Sequence, residues 1–304
     1  MTDALLFREV TKRYGRRAAP ALDACSFRVP TGAVCGLVGP NGAGKTTAFS
    51  VVSGFLLADS GEVSILGEPG FSPAHLKGRL GVLPQDAELP DRHTPPELLV
   101  HLGRLQGLSA AEARSESERV LTLVRLEDRI DSAIATLSHG MRRRVAVASA
   151  LVGRPELVLL DEPLAGLDPV QAHSLRDALA ALRGQTTLVV SSHNLAELER
   201  ICDWVVMLDH GRCVRQGPLS EVTGQRGVVV WELAGDPPLS ALTEHLPHHS
   251  WRRDGTHWVQ EAPAGADLDA ASVVVMRLLV EAGVGVRGVQ RGVSLETSFL
   301  EGRD

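Results

Sequence analysis

Val34-Cys35-Gly36-Leu37-Val38, followed by Gly39-Pro40-Asn41-Gly42-Ala43-Gly44-Lys45-Thr46-Thr47 and then Ala48-Phe49-Ser50-Val51-Val52, is the stretch that decides the fold. The first five residues are apolar on both faces, the pattern of a strand buried inside a sheet. The segment KTTAFSVVS reads as a helix, and the residues between match G-x-x-x-x-G-K-[ST] in the strand–loop–helix context that pattern requires. Glycines let successive backbone N–H groups converge on phosphates, and the start of a helix adds a dipole that favours negative charge. Lys45 then reaches the β- and γ-phosphates of a nucleotide, and the Thr46 hydroxyl is placed to ligate Mg²⁺. The bland alternative is a glycine-rich turn that holds a lysine by accident. With 30 glycines, 3 lysines and 35 serines plus threonines in 304 residues, chance supplies about 0.003 matches per chain, so the alternative fails.

Outward from this loop, Leu157-Val158-Leu159-Leu160-Asp161-Glu162 is a second buried strand that ends in two carboxylates. In open α/β sheets ligands sit at the carboxyl ends of strands. Asp161 is therefore expected to hold the Mg²⁺, and Glu162 to orient or deprotonate an attacking water. An acidic pair after an apolar strand is common on its own. Beside a phosphate loop it carries weight. The two motifs together establish a nucleotide site and leave the activity open.

Short apolar runs separated by helical patterns continue over residues 1–222, among them TTLVVSS and DWVVMLD, and predict a mostly parallel α/β sheet. Between about residues 90 and 150 no such run occurs; ELLVHLGRLQGL and AEARSESERVLTLVRLED read as an inserted helical subdomain. Residues 227–304 follow a different order, strand–helix–strand–strand–helix–strand, which predicts a small ferredoxin-like α+β domain after a turn-rich boundary at 217–227.

Composition narrows the class. A net charge of −6 argues against a general nucleic-acid binder. Four scattered cysteines without a C-x-x-C pair read as reduced thiols of a cytosolic protein. No stretch approaches the apolar length of a membrane span. His245, His248, His249 and His257 fit no standard zinc spacing and are expected at the surface. The run Arg142-Arg143-Arg144 is expected to be a solvated face.

Leu137-Ser138-His139-Gly140-Met141 precedes the acidic strand by about twenty residues, with GPNGAGKTT and LLDEP on either side. Over residues 3–220 the chain thereby resembles the ATP-binding subunits of ABC transporters. The resemblance implies a role for several further residues. Tyr14 stacks on adenine. Gln85 contacts Mg²⁺ and the attacking water, and senses the transporter. Ala165-Gly166-Leu167-Asp168 crosses to a partner subunit, and His193 hydrogen-bonds the γ-phosphate. His139 and Met141 depart from the commoner LSGGQ form, while Ser138 and Gly140, which do the phosphate work, are retained. The LSHGM variant, and a tail SLETSFLE near the C-terminus, are similar to those of drug- and antibiotic-exporter ATPases.

What this resemblance implies is a head-to-tail homodimer with ATP and Mg²⁺ held between the phosphate loop of one copy and the signature of the other. Hydrolysis would drive export through separate membrane permease subunits, from the cytoplasmic face of the membrane and with no nucleic-acid partner. The alternative is a soluble ABC-type ATPase that acts as an assembly or regulatory factor.

Overall fold

The computed structural model describes residues 2–15, 19–192, 195–223, 227–263, 266–292 and 295. It separates into two compact units, Met1–Gln216 and Gly217–Asp304.

In the first unit the strands are β1 (Asp3–Lys12), β2 (Leu22–Pro30), β3 (Val34–Val38), β4 (Ser60–Ile65), β5 (Glu68–Pro69), β6 (Leu80–Leu83), β7 (Leu157–Asp161), β8 (Thr187–Ser191), β9 (Trp204–Asp209) and β10 (Arg212–Pro218). The helices are α1 (Lys45–Val52), α2 (Pro73–Leu76), α3 (Pro95–Gln106), α4 (Ala110–Leu123), α5 (His139–Ala150), α6 (Pro169–Ala180) and α7 (Leu195–Ile201). Among the described residues six strands run in the order β10-β9-β3-β8-β7-β6. The pairs from β9 to β6 are all parallel. Every residue of β3, β7 and β8 is buried, as expected for strands covered on both faces. Each large aliphatic side chain so buried contributes about 1.5–3 kcal/mol.

A second sheet, β2-β1-β4-β5, is antiparallel throughout, and the apolar pattern of the sequence does not separate it from the parallel one. Its strands carry one buried and one solvated face, so their apolar pattern alternates weakly and is broken in β1 where Glu9 takes φ 50°. The two sheets share a core in which Phe7 and Phe27 stack with ring centroids 4.3 Å apart.

Between β6 and β7 the described chain is helical. Helices α3 and α4 each open with a capping box, Thr94 with Glu97 and Ser109 with Glu112, which satisfies two orphan amides reciprocally. Helix α3 stops at Gly107, whose φ of 106° a side chain would resist.

The second unit contains α8 (Leu219–Val222), β11 (Val228–Leu233), α9 (Leu239–His245), β12 (Ser250–Asp254), β13 (His257–Glu261), α10 (Leu268–Glu281) and β14 (Val286–Arg291). The sheet order β12-β13-β11-β14 with antiparallel neighbours is the arrangement of a ferredoxin-like domain. Trp231, Leu242, Val275 and Leu279 are fully buried and anchor its core. The indole Nε1 of Trp231 donates to Gln260 Oε1 at 3.0 Å, and Gln260 Nε2 lies 2.9 Å from His249 Nδ1. His249 is therefore half-buried, whereas His245, His248 and His257 are exposed.

Candidate nucleotide site

Strand order builds the site. β3, β8, β7 and β6 are consecutive and parallel, so the segments that follow them meet at one edge of the sheet. Those segments are the loop from Gly39 to Gly44, Ser191-Ser192, Asp161-Glu162, and Pro84-Gln85. Between them lies a cavity of about 740 Å³ lined by Tyr14, Ala21, residues 41–47, Gln85, Arg143, Asp161, Glu162 and Ala165.

The loop is shaped by close backbone approach. A Cβ on Gly39 would stand 2.3 Å from the Leu208 carbonyl oxygen, and one on Gly44 2.5 Å from that of Ala21. Both residues have positive φ, 157° and 105°. No other residue type fits either place. Lys45 opens α1 and is almost fully buried; its ammonium donates to the carbonyls of Gly39 at 2.6 Å and Pro40 at 3.1 Å. Burial lowers its pKa, and the carboxylates of Glu162 and Asp161 oppose that shift. A desolvated cation at the mouth of an anion-binding loop gains most from a phosphate.

Asp161 is 3% exposed and its two oxygens are used separately. Oδ1 accepts from the Ser191 hydroxyl, and Oδ2 accepts from Thr46 Oγ1 at 3.3 Å. The Ser191 oxygen in turn accepts the Glu162 N–H at 3.0 Å. Glu162 has φ 52°, a left-handed conformation that costs a non-glycine residue roughly 1 kcal/mol. Its amide is held by Ser191, and its carbonyl accepts from the Arg143 guanidinium at 2.8 Å and from the Ala165 amide at 3.1 Å.

Tyr14 is 64% exposed at the cavity mouth, with its hydroxyl 3.1 Å from Thr47 Oγ1. Gln85 is exposed on the loop after β6. Ser138, Gly140 and Asp168 do not line this cavity. Ser138 is the N-cap of α5, its oxygen accepting from Met141 N at 3.3 Å. Gly140 is buried where a Cβ would meet Gln171 Oε1 at 2.1 Å, and His139 lies over Gly166, 2.6 Å from where that glycine's Cβ would stand. Asp168 is the N-cap of α6 and accepts the amides of Val170 and Gln171. His193 lies outside the described residues, as does the SLETSFLE tail apart from Leu295.

Two parts of the site were not read from the sequence. Ser191 was hidden inside a strand end whose only visible property is apolarity. The arginine run is not a solvated face: Arg142 pairs with Asp91 at 3.1 Å, Arg143 enters the cavity, and buried Arg144 donates to the carbonyls of Val124 and Arg125. A cation every residue along a helix cannot share one face, because successive side chains point about 100° apart. That geometry was the available signal.

Residues 22–165 match a family model described as ABC transporter. Over 298 residues the chain is 36% identical to Nod factor export ATP-binding protein I of Burkholderia thailandensis, covering 97% of this chain and 95% of that one. The protein of the same name from Rhizobium meliloti is 35% identical, with 98% and 88% covered. A solved structure described as an ATP binding subunit of an ABC transporter shares 30% identity at a TM-score of 0.64, over 73% of this chain and 92% of that one.

Proposed function

The chain belongs to the ABC transporter family as an exporter-type ATP-hydrolysing subunit, and from that premise we propose that two copies pair head to tail, each ATP lying between the phosphate loop of one and the Ser138–Gly140 signature of the other. The observation that carries this reading is a separation. One cavity gathers the phosphate loop, Asp161, Glu162 and Gln85, while the signature at the N-terminus of α5 lies outside it. A helix N-terminus is an anion site that needs an anion. Two-fold pairing supplies one to each copy and closes the assembly.

In this mechanism the backbone N–H groups of residues 41–44, which line the cavity, surround the β- and γ-phosphates, and the Lys45 ammonium exchanges its loop carbonyls for phosphate oxygens. The Thr46 hydroxyl and Asp161 Oδ2, already adjacent, are hard oxygen donors that would hold Mg²⁺ beside the phosphates. Gln85, which lines the same cavity, would contact the ion as well. When bound, the ion offsets the charge that develops on the phosphates. Tyr14 receives the adenine, and His193 the γ-phosphate. Glu162 accepts a proton from the attacking water. The bond from the γ-phosphorus to its bridging oxygen breaks, giving ADP and phosphate. The 165–168 loop, capped by Asp168, meets the partner copy.

ATP closes the pair and hydrolysis releases it, so ATP binds two conformations with different affinity, as a power stroke requires. Among the described residues no helix is long and apolar enough to cross a membrane. In this reading the pathway belongs to separate permease subunits, which this protein serves at the cytoplasmic face. Relatives named for Nod factor export support the outward direction.

The test uses Glu162→Gln protein purified with ATP and Mg²⁺. The expected result is an ATP-dependent dimer by light scattering that is lost when Ser138→Ala is added, and co-purification of a polytopic membrane protein from detergent extracts. A monomer under saturating ATP, or a dimer indifferent to Ser138, would reject the composite site.

A further inference from the structure

Arg143 lies on α5, the helix that begins at the signature, yet its guanidinium enters the nucleotide cavity. Nη1 donates to the Gln85 carbonyl at 3.1 Å. Nη2 donates to the Asp161 carbonyl at 2.5 Å and to the Glu162 carbonyl at 2.8 Å. One planar cation thus satisfies three backbone oxygens from the two loops that carry the acidic pair and Gln85. A guanidinium has five donors in a fixed fork and can bridge all three, whereas a lysine ammonium is a single point of charge that cannot serve all three at once.

Two further facts make this more than a surface staple. Burial lowers the pKa of the half-buried guanidinium, and the carboxylates of Asp161, Glu162 and Asp86 beside it oppose that shift. Glu162 also needs support on both sides of its strained backbone. Ser191 grips its N–H, while Arg143 and the Ala165 amide grip its carbonyl. Of those three, only Arg143 comes from outside the loops at the sheet edge.

We infer that Arg143 is a positioning residue for hydrolysis, holding Glu162 and Gln85 in the geometry that attack by water requires and making that geometry depend on how α5 is seated. This rests on the head-to-tail reading above. In that arrangement α5 serves both sites, the partner's through Ser138 and Gly140 and the chain's own through Arg143 and the carbonyls of Gln85, Asp161 and Glu162. Engagement of the partner's ATP by the signature is then felt at the chain's own general base, through a single helix five residues further on.

The experiment compares full-length wild type, Arg143→Gln and Arg143→Lys for binding of a fluorescent ATP analogue, for phosphate release at saturating ATP, and for thermal melting. A misplaced base costs about 100-fold in rate, so Arg143→Gln is expected to lose kcat on that scale while its ATP affinity stays within about twofold. Arg143→Lys recovers part of the rate, because an ammonium reaches some of the three carbonyls. ATP-driven pairing of the Glu162→Gln protein survives addition of Arg143→Gln, since Ser138 and Gly140 are untouched. The inference is overturned by a kcat within about threefold of wild type, or by losses of kcat, affinity and melting temperature that move together in both variants. Failure of Glu162→Gln alone to pair in ATP strikes at the head-to-tail reading and its coupling, whereas positioning is judged by the split between kcat and affinity.

Discussion

The two units of this chain are built on the same layered principle and treat backbone strain in opposite ways. In the first unit Glu9, Ala24, Leu66, Arg125, Arg154, Glu162 and His210 all have positive φ without being glycine; among the described residues of the second unit none does. The first unit also buries Lys45, Asp161 and Arg144, whereas the second buries no charged residue among those described, its core polar contact being the neutral pair of Trp231 and Gln260. Strain and buried charge are costs that persist only where the surroundings over-determine them. The difference teaches where this molecule does chemistry. At the phosphate edge Glu162, Lys45 and Asp161 are expensive features that a stability-driven fold would discard, and the described residues of the ferredoxin-like unit hold none of that kind.

Substitutions can break this contrast or sharpen it. The largest effect is expected at Glu162. Glu162→Gln should lower ATP turnover by about 100-fold or more, the contribution of a positioned general base, with nucleotide binding retained; single-turnover phosphate release alongside equilibrium binding checks it. Ser191→Ala comes next. It strips the donor from buried Asp161 and the acceptor from the part-buried Glu162 N–H, so the first unit should lose about 1–3 kcal/mol in urea denaturation together with part of its kcat. In the second unit Trp231→Phe leaves Gln260 Oε1 buried without its donor, and a loss of about 1–3 kcal/mol is expected there. ATP hydrolysis by purified Trp231→Phe protein should be unchanged. A coupled fall in turnover would show that the division of labour is false.

The smallest effect is the pH response of His249. Burial lowers its pKa below 6.5, and neighbouring His248 adds to the shift. The unfolded chain binds a proton near pH 6.5 that the folded chain refuses, so stability is full above that value and declines as pH falls towards the folded pKa. Protonation of Nδ1 also removes the acceptor facing Gln260. Calorimetry of wild type against His249→Gln across pH 7 to 5 is expected to show a shallow decline in the wild type that the variant lacks.

Much of the architecture was legible because it rests on local rules. Runs such as LVLLD and TLVVS are apolar on both faces, and the phosphate loop has a steric logic that admits glycine alone at Gly39 and Gly44. The strands and helices of the second unit follow its sequence segments closely, SWRRD forming β12 and GVVVWEL containing β11. What stayed hidden depends on neighbours distant in sequence. Asp161 pairs across the parallel register with Ser191, thirty residues later, and nothing in either segment announces the other. The antiparallel sheet of β1, β2 and β4 was blurred by irregular register, its alternation interrupted at each bulge. Arg143 was masked by its two neighbours, since a run of like charges reads as solvent until each side chain is followed to its own partner.

The hydroxyl contact between Tyr14 and Thr47 has an optical consequence. Tyr14 is the chain's single tyrosine, and it stands at the mouth of the cavity with its phenol bonded to the helix that follows the phosphate loop. Any tyrosine band in a near-ultraviolet difference spectrum therefore has one source. The protein carries a native chromophore at the point where a nucleotide enters, and the loading of that cavity can be watched in unlabelled wild-type protein, with Tyr14→Phe as the blank.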